Sequence, residues 1–76
     1  MNERIVMDPQ VQHGKPVIRD TRVPVARVLG GLAGGMSFDE ICREYDLAPE
    51  DIRAAIRYAE ELVEQEAHYP LPACPA

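Results

Sequence analysis

Apolar residues recur at two different spacings along this chain, and the change of spacing divides it in two. In the first 24 positions they come in short clusters broken by turn residues. Arg4–Met7 is a β-prone run that Asp8-Pro9 ends as a turn, and Gly14 supplies a second turn. Val17, Ile18 and Arg19, then Thr21, Arg22 and Val23, are strand-like and flank Asp20, a residue type that tolerates the left-handed backbone of a tight turn. The stretch therefore predicts a small hairpin over residues 16–24 with its tip at Arg19–Thr21. Pro16 and Pro24, which donate no backbone hydrogen bond, bracket it.

From residue 25 onward the spacing becomes helical. Val25, Val28, Leu29, Leu32 and Ala33 mark one amphipathic helix, and Phe38, Ile41, Cys42 and Tyr45 mark a second. Ile52, Ala55, Ile56, Ala59, Leu62 and Val63 run along one face of a longer third helix that reaches about Glu66. Boundary chemistry supports this reading. Gly34 and Gly35 suit the end of the first helix, and Gly30 and Gly31 inside it suit close approach by another element. Ser37-Phe38-Asp39-Glu40 is a capping box opening the second helix. Pro49 fits the first turn of the third, where Glu50 and Asp51 complement the helix dipole. A tight link at Asp46-Leu47-Ala48 joins a short helix to a longer one, as in a helix-turn-helix unit, with Cys42 as the small residue where the axes cross. The expected fold is mainly α: a short N-terminal β-hairpin or ribbon (residues 1–24), a three-helix helix-turn-helix core (25–66), and a proline-rich, extended or disordered tail (67–76).

Size changes the picture. A single core in 76 residues rarely supplies more than about 3–5 kcal/mol without a staple, a metal or a second subunit. Cys42 and Cys74 are far apart and lack a metal-ligand or CxxC spacing, so neither a disulfide nor zinc is expected, and self-association is. No apolar run is long enough to span a bilayer and the N-terminus does not resemble a signal peptide, so the chain reads as cytoplasmic with no membrane role.

Charge is distributed unevenly. Arg4, Lys15, Arg19, Arg22 and Arg27 against Glu3, Asp8 and Asp20 make the first 35 residues net +2; the remainder is net −7, giving the overall −5. Such acidity argues against avid, sequence-blind DNA binding and suits docking onto a basic protein.

Catalytic groups are not evident. Ser37 is explained as a helix cap, and neither His13 nor His68 has a neighbour that would orient it as a base. Glu60, Glu61, Glu64 and Glu66 form a solvated helix face and not a metal site. No catalytic residue, metal, cofactor or small-molecule substrate is expected. Binding is better supported. Glu50, Arg53, Ala54 and Arg57 fall on the outer face of the third helix, where a recognition helix meets base edges, and with Ser37 they are the expected DNA-contact residues. The alternative for that face is internal pairing of Arg53 and Arg57 with Glu50, Glu60 or Glu61. Arg19 and Arg22 are placed to hold phosphate or a carboxylate, or else to pair with Asp20 or the chain's own acidic helices.

GKPVIRDTRVPV, followed by GLAGGMSFDEICREYDLAPEDIRAAIRYAEEL, resembles the small bacterial family numbered four-three-three among the domains of unknown function. The likeness covers about residues 5–62. It departs from the family pattern at Asp20, usually Gly, and at Ala48, usually a small hydroxyl residue. The resemblance implies a homeodomain-like helix-turn-helix protein acting as the antitoxin of a type II toxin–antitoxin pair. It further implies a homodimer formed through the ribbon, a PIN-like ribonuclease toxin as partner, and operator DNA as a second target. Arg19, Asp20, Thr21 and Arg22 of the ribbon, with Tyr69 and Leu71 of the tail, are then the expected partner contacts. A stand-alone DNA-binding regulator and a helical adaptor with no nucleic-acid role are the competing readings.

Overall fold

A computed structural model describes residues 3–66. Two three-residue strands, β1 (Ile5–Met7) and β2 (Pro16–Ile18), pair antiparallel with Ile5 opposite Ile18, Val6 opposite Val17 and Met7 opposite Pro16. The Arg19 N–H donates to the Arg4 carbonyl at 2.7 Å and extends the pair by one rung. The loop between the strands turns at Asp8, whose carbonyl accepts from Val11 N–H, and then at Gln12, His13 and Gly14, all with positive φ.

The hairpin expected over residues 16–24 is thus displaced. Asp20 does adopt the left-handed backbone, φ 62°, but beyond it only one bridge forms, Val17 to Pro24, with Ile18 N–H donating to the Val23 carbonyl at 2.9 Å. Thr21 explains why. Its hydroxyl donates to the Ile18 carbonyl at 2.7 Å and accepts from Val23 N–H at 3.0 Å, so the turn itself uses the polar groups that a longer ladder would need. Pro24 can donate nothing further. The strand partner of β2 is instead the run around Val6, sequence-distant and hence invisible to local periodicity.

Three helices follow: α1 (Val25–Ala33), α2 (Phe38–Tyr45) and α3 (Pro49–Glu66). α1 ends at Gly34, and Gly35 takes φ 99°, with Met36 N–H closing back on the Gly31 carbonyl at 3.0 Å. Of the two internal glycines, Gly31 meets the expectation of close approach. A Cβ there would lie 3.2 Å from Met36 Sδ and 3.4 Å from Ile41 Cδ1, whereas one at Gly30 would face open space. The capping box of α2 forms as read from sequence: Ser37 Oγ accepts from Glu40 N–H at 3.1 Å and Ser37 N–H donates to the Glu40 carboxylate at 2.8 Å. α2 stops at Asp46, φ 56°, where Leu47 N–H returns to the Cys42 carbonyl.

The core lies between β2 and the three helices. Ile18, Val25, Val28, Ile41, Leu47, Ile52 and Ala55 form its buried centre, ringed by half-buried Ile5, Val23, Leu29, Leu32, Met36, Phe38, Cys42, Tyr45 and Tyr58. Each fully buried aliphatic side chain contributes roughly 1.5–3 kcal/mol. The apolar face read along the third helix is buried at Ile52 and Ala55 but not along its whole length. Ile56 is 40% exposed, Leu62 44% and Val63 64%. Ile56 lies toward the outer side. For Leu62 and Val63 the cause is length: 18 residues of α3 span roughly 27 Å, the nine of α1 and eight of α2 cover roughly half that, and the end of α3 outruns the body it packs on.

Candidate nucleic-acid and partner interface

The helix-turn-helix is set by its turn. Ala48 cannot cap α3 with a side chain, so the start of the helix is held from inside: Asp51 Oδ2 accepts the Ala48 N–H at 3.0 Å. The other oxygen of the same carboxylate, Oδ1, accepts from Arg4 Nη1 at 2.9 Å in an ion pair. One acid, its side chain only 16% exposed, therefore fixes the first turn of α3 and ties it to the ribbon. Sequence reading credited Asp51 only with a dipole effect. A carboxylate three positions after a residue that cannot cap was the available signal; the partnership with Arg4, 47 positions away, had none.

On the outer side of α3, Glu50, Arg53 and Arg57 are exposed as expected, and they line a shallow depression with Ala54, Ile56 and Glu60. Arg53 Nη1 lies 4.0 Å from Glu50 Oε1, both well exposed, a spacing at the outer limit for an ion pair and worth little in water. Arg57 makes no ion pair with a described residue. Ala54 differs from expectation: it is only 7% exposed and so lies at the margin of this face. Ser37 is exposed, but its hydroxyl is committed to capping α2. Two cations thus occupy the first half of the outer face. Exposed Glu60, Glu61 and Glu64 take over in the second half, next to exposed Leu62 and Val63.

At the ribbon, Arg19 Nη1 donates to the Glu3 carbonyl at 3.3 Å, and the Arg22 carbonyl accepts from Gln12 Nε2 at 3.3 Å. Among the described residues neither arginine forms an ion pair, so the internal bridges to Asp20 or to the acidic helices are not made. Asp20 and Thr21 shape the turn that presents the two guanidinium groups. Tyr69 and Leu71 lie outside the described residues. Within those residues, no three His, Cys, Asp or Glu side chains converge as metal ligands would, and no helix is long and apolar enough to cross a membrane.

Residues 5–59 match the family model described as protein of unknown function, DUF433. The chain belongs to the DUF433 family. The matched DUF433 segment runs from the first residue of β1 to Ala59, the part of α3 that packs on the body. Over 52 residues the chain is 36% identical to a Mycobacterium tuberculosis (strain ATCC 25618 / H37Rv) protein named "Putative antitoxin VapB45", covering 68% of this chain and 22% of that protein. Among solved structures it resembles a DUF433 member from Anabaena variabilis ATCC 29413, with TM-score 0.73 and 35% identity, covering 82% of this chain and 62% of that one. It also resembles Rv2018 from Mycobacterium tuberculosis, with TM-score 0.64 and 36% identity, covering 68% of this chain and 24% of that one. The chain thus spans about a quarter of the length of the mycobacterial proteins it matches.

Proposed function

We propose that this DUF433 protein is a non-enzymatic, dimeric antitoxin that binds and neutralises a PIN-like ribonuclease toxin and represses its own operon through α3. The similarity to a protein named an antitoxin carries the reading, and the surfaces support it. The protruding end of α3 presents Leu62 and Val63 beside Glu60, Glu61 and Glu64, an apolar and acidic combination suited to covering the basic, RNA-binding face of a nuclease. Arg19 and Arg22 at the ribbon turn, with Tyr69 and Leu71 of the tail, are the further toxin contacts in this reading. A dimer presents two helix-turn-helix units to a palindromic operator, with Arg53 and Arg57 on phosphate or base edges and Ser37, Glu50 and Ala54 beside them.

Co-expression with the product of the neighbouring gene tests the toxin arm. Rescue of growth and co-purification of the two proteins are expected; an inert neighbour that does not bind would overturn it. For the operator arm, Arg53→Ala and Arg57→Ala should each weaken binding to the chain's own promoter and, at a phosphate contact, lower the salt slope by about one. A second reading, a stand-alone regulator, is favoured by the exposed Arg57, which makes no ion pair with a described residue. It would be supported by promoter binding in the absence of any toxin interaction.

A further inference from the structure

We infer that the outer edge of β1 is a self-recognition site, pairing antiparallel with β1 of a second copy about a two-fold axis through Val6. This rests on the dimeric part of the reading above and names the surface that the dimer uses. The Arg19-to-Arg4 hydrogen bond fixes which backbone groups face β2. In an antiparallel ladder the bonding side alternates, so Arg4 and Val6 address β2, while the N–H and C=O of Ile5 and Met7 point to the other side. Neither Ile5 nor Met7 has a backbone hydrogen bond to a described residue outside the ribbon.

The two sides of the sheet are treated differently. Beyond β2, the ladder is closed by Val23 and Pro24, and β2 itself begins with Pro16. Beyond β1 no proline intervenes between Glu3 and Asp8, and the apolar side chains of Val6 and Met7 are 37% and 61% exposed. Natural edge strands are usually blunted by proline, charge or cover, and among the described residues none of these stands at the centre of this one. A two-stranded ribbon is also marginal by itself; two copies joined at β1 make a four-stranded sheet.

The residues at and beside β1 make the pairing self-complementary. Arg4 and Asp8 lie just outside β1 on either side of Val6, so the sequence about Val6 runs basic, apolar, acidic. Laid antiparallel on its own copy about Val6, this stretch sets Val6 against Val6 and each Arg4 against Asp8 of the other chain. Arg4 also donates to Asp51 and Asp8 also accepts from Gln10 N–H, so in the pair each would share its contacts, as a guanidinium with five donors and a carboxylate with two oxygens can.

Light scattering on the full chain should give twice the 8.5 kDa chain mass at high concentration. Val6→Cys should cross-link copies under mild oxidation, with the disulfide located at that position by peptide mass mapping. Met7→Cys should not, because in this register position 7 faces position 5 and the two copies of position 7 stand beyond the roughly 7 Å Cα limit for a bridge. Wild type, with Cys42 and Cys74, is the control. Val6→Arg, at an exposed position where circular dichroism should report an unchanged fold, should weaken self-association by about tenfold or more. A monomer at high concentration, cross-linking at position 7 in preference to 6, or a dimer indifferent to Val6→Arg would each overturn the site. Toxin neutralisation is scored separately, so loss of the antitoxin reading and loss of this edge give different results.

Discussion

At the scale of single residues, Asp51 and Asp20 hold unusual positions for different reasons. Asp51 does the work of a missing cap. Asp51→Asn removes the charge that Ala48 N–H and Arg4 share, and should destabilise the fold by about 1 kcal/mol, the usual value of a cap. Arg4→Ala removes only the half-exposed partner and should cost less, about 0.5 kcal/mol. Urea denaturation of both variants checks the order. At Asp20 the left-handed backbone is borne by a residue with a side chain, where Gly would carry no steric penalty. Asp20→Gly should raise stability by up to about 1 kcal/mol and Asp20→Val should lower it, readable as a shift in thermal midpoint.

At the scale of elements, the capping box makes α2 sensitive to acid. The Ser37 backbone N–H, and then its hydroxyl, hold the Glu40 carboxyl below its ordinary range. A folded-state pKa that is depressed adds stability above the unfolded value, and that stability is lost as pH falls through the folded one. The stability gap between wild type and Glu40→Gln should therefore hold from neutral pH down to about pH 5 and narrow only below the ordinary glutamate range, under about pH 4.3, measured by denaturant titration across both windows. In α1, Gly30→Ala fills open space and should stabilise by about 0.5–1 kcal/mol. Gly31→Ala gains the same propensity but presses on Met36 and Ile41, so its net effect should be smaller or reversed.

The elements most legible in the sequence were those whose causes are local. Ser37 and Glu40 sit three apart and signal a helix start; Gly34 and Gly35 signal an end. Asp46-Leu47-Ala48 is short enough that the two helices it joins must cross nearby. The pairing of β1 with β2 was not legible, because three-residue strands carry no periodicity and Thr21 mimics a hairpin while consuming its hydrogen bonds. Leu62 and Val63 misled for a related reason. Helical spacing records which face a residue is on, and says nothing about whether another element extends far enough to cover it. Within the candidate interface, Arg53 and Arg57 were legible as outward residues, while the margin position of Ala54 was not.

At the scale of the whole molecule, surface and core separate along α3. Its first half is structural on one face and cationic on the other; its second half is solvent-facing, acidic and apolar. Val63→Lys should leave folding stability within about 0.5 kcal/mol, as an exposed substitution. If the projecting end of α3 seats on the toxin, the same change should weaken that complex by roughly tenfold, read by calorimetric titration. Equal loss of fold and binding would show instead that Val63 belongs to the body of the domain.

The Pro24 bridge has a consequence for the proposed pairing of chains. A ribbon open on both sides would let copies stack without end, each newcomer presenting a fresh row of amides to the next. Here one flank is sealed, so pairing through β1 as proposed would end after one addition instead of running on into fibrils.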